Sequence, residues 1–437
     1  MKISIFGIGY VGAVSAACLS EDGHTVVGVD PVKGKVDSIN QGYSPIIEKD
    51  IGELIEKNVK LRRLSATTNT VEAIDKTDIS FVCVGTPSQL NGNLDLKYIS
   101  RVCEDIGKAM KNKSGRHVVV IRSTCLPGTM RNFVIPTLEE ASGKTAGKDF
   151  GVCYNPEFLR EGTALYDYYN PPKIVIGEID KESGDLVALI YEKLKVPLIR
   201  SQIEVAEMVK YVDNVWHGLK AGFANEIGNI CKKLEIDGHT VMNIFCQDTK
   251  LNISPYYMKP GFAFGGSCLP KDLRALTYKA RSLDLNLPIL NSILVSNELQ
   301  IERGLSMVME KGKKKIGILG FSFKAGTDDL RESPVVELIE RLIGKGYDVK
   351  IYDHNVRLSS LIGANRDFIL NTIPHISRLM VDNISDIINH AETIIIGNSA
   401  AEFKNILELA KPGQNIVDLV RICENKGNNK DYDGICW

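Results

Sequence analysis

Residues 2–30 of the chain have the sequence KISIFGIGYVGAVSAACLSEDGHTVVGVD, and this stretch decides the fold. An apolar run (Lys2–Gly7) leads into a G-x-G-x-x-G turn, an apolar helical segment (Val11–Leu19) and a second apolar run (Thr25–Asp30). In such a turn the first glycine permits the tight bend, the second lets a ligand approach the backbone, and the third lets helix and strand pack closely. The order strand, turn, helix, strand therefore predicts the start of a parallel α/β sheet.

The turn predicts a dinucleotide site at Gly7, Gly9 and Gly12, because the helix start offers N–H groups to a pyrophosphate. Asp30 ends the second strand, 18 residues past Gly12, where an acid would bind the ribose hydroxyls. An acid at this place favours NAD over NADP, because it would repel a 2′-phosphate. A glycine turn without a cofactor is the alternative at this stage.

Short apolar runs recur at both ends of the chain and predict a fold of the α/β class. The predicted strands are Lys2–Gly7, Thr25–Asp30, Ile79–Gly85, His117–Arg122, Phe150–Tyr154 and Lys173–Gly177, then Lys315–Gly320, Val349–Asp353, Thr393–Gly397 and Asn415–Leu419. The predicted later helices are Ile203–Glu235, Asp237–Cys246, Lys271–Leu283 and Ser333–Lys345. We expect two Rossmann-like, doubly wound parallel-sheet domains, 1–202 and 301–437, joined by a long helical region, 203–300.

Composition excludes several classes of protein. The 437 residues carry a formal net charge of −1, which leaves no basic surplus for nucleic acid or an anionic membrane. No run reaches the ~18 apolar residues that span a bilayer, and the start of the chain lacks the features of a signal peptide. The ten cysteines form neither a CxxC pair nor a Cys/His cluster, which predicts buried free thiols, no metal site and a cytoplasmic protein.

Two threonines follow the ends of predicted strands. Thr86 lies in Gly85-Thr86-Pro87, and Thr124 closes Arg122-Ser123-Thr124. Ligands in open α/β sheets bind at the carboxyl ends of strands, so both are candidates to line the nicotinamide side of the site. Ordinary turn threonines would have the same sequence pattern.

Residues 262–272 have the sequence FAFGGSCLPKD and surround one of the ten cysteines. The glycines let the backbone come close to a neighbour, and Cys268 stands where a helix is predicted to start. A helix dipole and a nearby lysine favour a thiolate at such a place, and Lys271 and Asp272 lie within one turn. A lone cysteine is more often buried apolar filler, but this setting favours a reactive thiol.

Four polar residues of the predicted long helix are candidates for a binding face. Lys210, Asn214 and His217 are spaced i, i+4, i+7 and share a face, and Asn225 falls roughly on the same side. Such a face could hold a polar substrate. A solvated face, or a packed histidine at position 217, is the alternative.

Several segments together match one family. They are the GxGYVG loop (7–12), Val84–Pro87, Arg122–Thr124 with Pro127–Thr129, Asn155–Glu161 and Gly265–Asp272. Along essentially its whole length the chain resembles the UDP-glucose/GDP-mannose dehydrogenase family. Segments 256–264, 322–333 and 435–437 resemble its GDP-mannose branch. The family pattern has serine where Gly162 stands and arginine where Lys259 stands; lysine keeps the charge but loses the bidentate fork.

The resemblance implies two Rossmann-like domains around a helical dimerisation region, with substrate sites completed across a domain-swapped homodimer. Besides the loop glycines, the implied NAD contacts are Tyr10, Val11, Asp30, Lys35, Thr86, Thr124, Lys271 and Thr327. The implied substrate contacts are Glu161, Lys210, Asn214, His217, Asn225, Tyr256, Tyr257, Lys259, Phe262, Gly265 and Lys324.

The implied reaction is a four-electron oxidation of GDP-mannose at C6 to GDP-mannuronate, with two NAD per product, which feeds the synthesis of polysaccharide precursors. The first hydride leaves C6 and gives an aldehyde, to which a thiolate adds as a thiohemiacetal. Loss of the second hydride gives a thioester, which water hydrolyses. An aldehyde held covalently cannot escape between the two oxidations.

We assign Cys268 as the nucleophile in this scheme. Lys210 would stabilise the developing oxyanion, with Asn214 orienting it. Asp272 would serve as general base through a water held with Thr124. Glu161 is a second candidate for proton transfer during hydrolysis, and Lys324 and Lys259 would meet the charge of the substrate.

Three rival interpretations stay open. The same chemistry could act on UDP-glucose or a UDP-N-acetylhexosamine. A two-electron hydroxyacid or sugar-phosphate dehydrogenase would make one NADH per product and would not need Cys268. A non-catalytic nucleotide-sugar binding protein is disfavoured, because it has no reason to keep Cys268, Lys271 and Asp272 together.

Overall fold

The computed structural model describes residues 1–90, 93–160, 162–254, 257, 260–266, 269–322, 325, 327–356, 363–423 and 431–437. The chain divides into two compact units, Met1–Gly218 and Leu219–Trp437. Each unit is built around its own sheet, as the α/β pattern of the sequence predicts.

The first unit alternates strands and helices. Its strands are β1 (Lys2–Phe6), β2 (Thr25–Val29), β3 (Leu64–Thr67), β4 (Ile79–Val82), β5 (Val118–Ile121), β6 (Gly151–Tyr154), β7 (Ile174–Glu178) and β8 (Leu198–Ser201). Its helices are α1 (Tyr10–Glu21), α2 (Lys33–Asn40), α3 (Ile51–Lys60), α4 (Thr70–Lys76), α5 (Lys97–Met110), α6 (Ile135–Ser142), α7 (Ala164–Tyr169) and α8 (Lys181–Ile190), with a π-helix at Met130–Val134. The long helix α9 (Ile203–Lys233) follows and confirms the helix predicted at Ile203–Glu235.

The sheet of the first unit has the order β3-β2-β1-β4-β5-β6-β7-β8. The part from β3 to β6 is parallel and has the 3-2-1-4-5-6 order of a dinucleotide-binding sheet. The predicted fold class is confirmed, and one pairing of this sheet is antiparallel, because β7 runs against β6. Tyr154 at the end of β6 lies opposite Gly177, and Cys153 lies opposite Glu178. The sequence pattern also missed β3 and β8.

Helices cover both faces of this sheet. On one face Ile3 and Val120 pack with Cys18 of α1, and on the other Phe6 and Val119 pack with α5. Strands that are buried on both faces have apolar side chains at nearly every position, and the buried Ser4 and Ser80 pair their hydroxyls at 2.7 Å. This explains the continuous apolar runs in the sequence and places the carboxyl ends of β1, β4 and β5 at a common edge.

Helix α9 uses two buried acids to fix the starts of other elements. In the first unit, the fully buried Glu207 accepts hydrogen bonds from the N–H groups of Gly128 (2.7 Å) and Met130 (2.9 Å). In the second unit, Glu226 accepts from the N–H groups of Ile289 (2.8 Å) and Leu290 (2.9 Å). A carboxylate suits such positions because helix starts carry unpaired N–H donors and a partial positive charge.

The second unit has a five-stranded parallel sheet. Its strands are β9 (Lys315–Leu319), β10 (Asp348–Tyr352), β11 (Thr393–Ile396), β12 (Asn415–Asp418) and β13 (Tyr432–Gly434). Its helices are α10 (Gly238–Phe245), α11 (Leu269–Ser282), α12 (Pro288–Glu310), α13 (Pro334–Gly344), α14 (Gly363–Thr372), α15 (Ile384–His390) and α16 (Ile406–Leu409), with 3₁₀ turns at Ile376–Arg378 and Ala401–Phe403. The predicted strands and helices of this region are confirmed, whereas α12, α14, α15, α16 and β13 were not predicted.

The strand order of this sheet is β10-β9-β11-β12-β13, which is the 2-1-3-4-5 order of a doubly wound fold. The last strand, β13, pairs with β12, and Trp437 donates its indole N–H to the Tyr432 hydroxyl at 3.3 Å. The tail therefore packs on the sheet, as its apolar end predicts.

The nine described cysteines are free thiols, and six of them are buried. Burial raises the pKa of the Cys83 thiol to about 12 and that of Cys103 to about 12, so these thiols stay protonated at neutral pH.

None of the described helices is long and apolar enough to cross a membrane.

Candidate active site

The glycine loop joins β1 to α1 and matches the predicted dinucleotide turn. The N–H group of Gly7 donates to Val29 O at 2.8 Å, which aligns the loop with the end of β2. A Cβ atom at position 12 would lie 1.9 Å from Gly7 O, so only glycine lets α1 start this close to the strand. Gly9 precedes α1, and no side chain caps the helix there.

Asp30 lies at the end of β2 and is 4% exposed. Its carboxylate accepts hydrogen bonds from the N–H groups of Ile8 (2.9 Å) and Val32 (3.0 Å) and from Lys35 Nζ (3.2 Å). Two carboxylate oxygens offer about four acceptor positions, so a ribose hydroxyl can still bind. The acid thus also holds the glycine loop itself, which the sequence did not reveal.

A cleft of about 510 Å³ opens beside this loop. Gly7, Gly9, Asp30 and Lys35 line one side of it, and α5 contributes Tyr98 and Arg101. Because no motif connects α5 with the glycine loop, sequence analysis could not select these two side chains. They extend the candidate cofactor site to the far wall of the cleft.

The two predicted threonines meet at the carboxyl ends of β4 and β5. Thr86 donates its hydroxyl to Thr124 O at 3.0 Å, and Ser123 donates to Val84 O at 2.6 Å. Glu207 fixes the turn that follows Thr124 through Gly128. The switch point of the sheet lies at β1 and β4, where ligands of such folds bind.

Lys210 is the buried member of the predicted face on α9, with 8% of its side chain exposed. Its ammonium lies 3.1 Å from Glu157 Oε1, donates to Glu157 O at 2.6 Å and lies 5.4 Å from the centre of the Phe158 ring. A buried ammonium needs such partners to remain charged. Glu157 was not predicted, although it lies in the quoted Asn155–Glu161 segment.

The three other predicted substrate residues of α9 differ from Lys210. Asn214, His217 and Asn225 are exposed, whereas Lys210 is buried. Spacing by three and four residues correctly predicts a shared direction along a helix, but it does not reveal how deeply each position is covered.

In the second unit, the loop before α11 is held by amide side chains of α12. Asn297 accepts a hydrogen bond from the N–H of Phe264 at 2.8 Å and donates to its carbonyl at 2.9 Å. Gln300 donates to Gly261 O at 2.6 Å. A Cβ at Gly265 would lie 2.2 Å from Glu332 O, so the close neighbour expected from the glycines is this backbone. Neither amide was predicted, because α12 itself was missed.

The charged pair that follows this loop lies in the first turn of α11, which begins at Leu269. Lys271 Nζ is 3.2 Å from Asp272 Oδ1, with 64% and 70% of the two side chains exposed. An ion pair so open to water contributes less than about 1 kcal/mol, so either partner can turn to a ligand at little cost. Tyr257 is also exposed, whereas Phe262 packs its ring over Gly304.

Several predicted site residues lie outside the described residues. Thr327, by contrast, is described and half-buried. The residues outside are Glu161, Tyr256, Lys259, Cys268 and Lys324.

The first unit has what an NAD site requires. The uncapped start of α1, the glycine backbone and the buried acid at the end of β2 are the groups that hold pyrophosphate and ribose. Fold and site define an NAD-dependent dehydrogenase. Sequence models of the UDP-glucose/GDP-mannose dehydrogenase family match residues 1–195 (NAD binding domain), 204–299 (central domain) and 317–425 (UDP binding domain). The chain belongs to this family, whose members are NAD-dependent oxidoreductases.

Two relatives and one solved structure are similar to the chain over most or all of its length. The chain is 53% identical to GDP-mannose 6-dehydrogenase of Pseudomonas putida over 100% of both chains. It is 37% identical to UDP-glucose 6-dehydrogenase AglM of Haloferax volcanii over 81% of this chain and 83% of that relative. A ternary complex of GDP-mannose dehydrogenase from Pseudomonas aeruginosa has a TM-score of 0.97 and 53% identity, covering 100% of each chain.

Proposed function

We propose that the protein oxidises GDP-mannose at C6 to GDP-mannuronate with two NAD per product, and so supplies a precursor for polysaccharide synthesis. The observation that carries this proposal is the 53% identity over 100% of both chains to a GDP-mannose 6-dehydrogenase.

The proposed covalent step uses Cys268, immediately before α11. Its thiolate forms a C–S bond to the C6 aldehyde, and the aldehyde oxygen takes up a proton. NAD, when bound, supplies the hydride acceptor for each of the two oxidations. The adduct loses the C6 hydride and its hydroxyl proton and becomes a thioester. Water then attacks the thioester, the C–S bond breaks, and the acid leaves as the thiol is restored.

The proposed proton and charge handling belongs to five further residues. Lys210 stabilises the oxyanion, which its fixed position beside Glu157 supports, and Asn214 orients it. Asp272 acts as general base through a water held with Thr124, and Glu161 assists hydrolysis. The weak pairing of Asp272 with Lys271 supports a carboxylate that can change partners.

The proposed cofactor contacts follow the glycine loop and the strand ends. They are Gly7, Gly9, Tyr10, Val11, Gly12, Asp30, Lys35, Thr86, Thr124, Lys271 and Thr327. The proposed substrate contacts are Glu161, Lys210, Asn214, His217, Asn225, Tyr256, Tyr257, Lys259, Phe262, Gly265 and Lys324. We retain the domains 1–202, 203–300 and 301–437, which the limits of the three family models support.

The substrate proposal predicts two NADH per sugar with GDP-mannose. We expect an absorbance assay with the purified protein and NAD to give two NADH for each GDP-mannose consumed. UDP-glucose and a UDP-N-acetylhexosamine, offered separately at the same concentration, are the controls. Faster turnover of either control would identify that nucleotide-sugar as the substrate instead. A yield of one NADH per product would refute the four-electron reaction.

A second proposal concerns the oligomer. Five apolar side chains of α9 are 43–67% exposed: Val205, Met208, Val212, Val215 and Leu219. They follow each other by three, four, three and four residues, which is the spacing of a stripe that packs against another helix. Contiguous apolar stripes are rare on the surface of monomers, which supports a homodimer formed through α9.

Replacing Val212 and Val215 together by glutamate should therefore dissociate the dimer, because two charges would be buried in an apolar seam. We expect light scattering to give twice the chain mass for the natural protein and one chain mass for the variant. Val71→Glu, at a 54% exposed position of α4, is the matched control. A variant that keeps the dimer mass would contradict this interface.

A cytoplasmic location stays a prediction. Support comes from the six buried free thiols, because proteins with this cysteine usage belong to reducing compartments.

A further inference from the structure

Glu48 lies in the loop between α2 and α3, and three donors from distant parts of the first unit meet on its carboxylate. The Tyr10 hydroxyl donates to Oε2, as does the N–H of Gly162 at 2.7 Å. The N–H of Ala164 donates to Oε1 at 3.1 Å. One side chain thus connects the glycine loop with residues 162–164, which lie 152 positions or more along the chain from Tyr10.

A second carboxylate holds the other side of the same segment. Asp167 accepts hydrogen bonds from Arg160 through its backbone N–H (2.9 Å), Nε (3.0 Å) and Nη2 (2.7 Å). The main chain at positions 160, 162 and 164 is therefore bound to Asp167 or Glu48. These positions flank residue 161, and Tyr10 also accepts from the N–H of Gly162 at 3.3 Å.

We propose that Glu48 is a positioning residue that connects Tyr10, on the cofactor side, with the segment around Glu161, on the substrate side. The proposal rests on the function proposed above, in which Tyr10 contacts NAD and Glu161 contacts the sugar. Glu48 touches neither ligand in this scheme. It acts through the direction of the Tyr10 hydroxyl and through the backbone of residues 162–164.

The charge of Glu48 is suited to this role. Burial by itself raises the pKa of this carboxyl, but the hydrogen bonds from Tyr10, Gly162 and Ala164 outweigh it and hold the pKa below its ordinary value. The group is therefore ionised at neutral pH and can only accept hydrogen bonds. Since Tyr10 has a single hydroxyl proton, giving it to Glu48 fixes the orientation of the phenol.

Glu48→Gln is the sharpest single change, because shape is kept and one acceptor is lost. Each carboxylate oxygen receives a backbone N–H, so in glutamine the NH₂ group must face the N–H of either Gly162 or Ala164. A lost charge-assisted hydrogen bond is expected to lower NAD affinity and kcat/KM for the sugar, each by about tenfold. NAD affinity is measured by calorimetry without sugar, and the kinetics with GDP-mannose.

The control is Glu56→Gln, which removes an exposed acid of α3 that pairs only with Lys60 in the described contacts. Its NAD affinity and kinetics should stay within twofold of the natural protein. If Glu48 served stability alone, Glu48→Gln would lower the melting temperature but leave NAD affinity and kcat/KM of the folded protein unchanged. That result would overturn the proposal.

Tyr10→Phe provides a second route that does not depend on Glu48→Gln folding. Because Glu48 is proposed to reach NAD only through Tyr10, the double variant should lose no more NAD affinity than the weaker-binding single variant. Strictly additive losses, or an unchanged NAD affinity in Tyr10→Phe, would refute the connection. Failure of the natural protein to oxidise GDP-mannose would refute the proposed substrate only, because the NAD measurements contain no sugar.

Discussion

Cys268→Ser is expected to abolish formation of the acid while NAD binding persists. A serine hydroxyl is a far weaker nucleophile at neutral pH than a thiolate, so the C6 aldehyde is no longer captured covalently. Loss of a nucleophile that works together with a base costs at least about a thousandfold in kcat. Residual turnover should stop at or before the aldehyde, giving no more than one NADH per sugar.

This result is measured by chromatography of the acid and by absorbance of NADH in the same reaction. Cys246→Ser is the matched control, because this thiol is also in the second unit and is exposed. It should leave both product and NADH yield unchanged. Full acid production by Cys268→Ser would remove the covalent step from the proposed reaction and favour a second oxidation that acts on the hydrated aldehyde directly.

The ten cysteines show how far a sequence can predict whether a given thiol is buried or reactive. Six of the nine described ones are buried, and apolar runs predicted this for thiols such as Cys83. Burial raises the pKa of Cys83 to about 12, which leaves it unreactive. The amino-acid composition does not distinguish Cys268 from the other thiols. It was selected only because of its neighbours in the sequence and because of the family resemblance.

The fold was predictable where the signal was local. Runs buried on both faces that are apolar throughout, such as β5 with the sequence VVVI, were found. Both edge strands of the first sheet were missed; β8 at Leu198–Ser201 is largely exposed and carries no continuous apolar run. The reversal of β7 depends on where the chain re-enters the sheet, and pairing between neighbouring strands has no short-range signature.

In the candidate site, too, the residues of local motifs were predictable and those that depend on distant contacts were not. Loop glycines and Asp30 follow from a motif within one strand-turn-helix unit. Glu157 beside Lys210, Glu48 beside Tyr10 and Asn297 on the loop before α11 bring together residues distant in sequence. Carboxylates and amides are common on every surface, so only their partners in space distinguish these three from the rest.

Gly12→Ala and Gly9→Ala should separate the two uses of glycine in the first loop. At position 12 a methyl group would lie 1.9 Å from Gly7 O, so the backbone between β1 and α1 must shift. Overpacking of this kind destabilises by about 3 kcal/mol, and the unfolding transition of the first unit should move down by several degrees in calorimetry. Gly52→Ala, in α3 with no atom within 4 Å of the added Cβ, is the control and should not lower it.

At position 9, by contrast, a Cβ has no atom within 4 Å, and the backbone angle φ of −86° suits alanine. Gly9→Ala should therefore fold and melt like the natural protein. The added methyl group fills space that a pyrophosphate needs at the start of α1, so we expect NAD affinity to fall about 30-fold. Calorimetric titration with NAD measures this loss. If Gly9→Ala bound NAD as tightly as the natural protein, the pyrophosphate could not lie against this loop, and the cofactor site would have to be sought along α5, at Tyr98 and Arg101 on the opposite wall of the cleft.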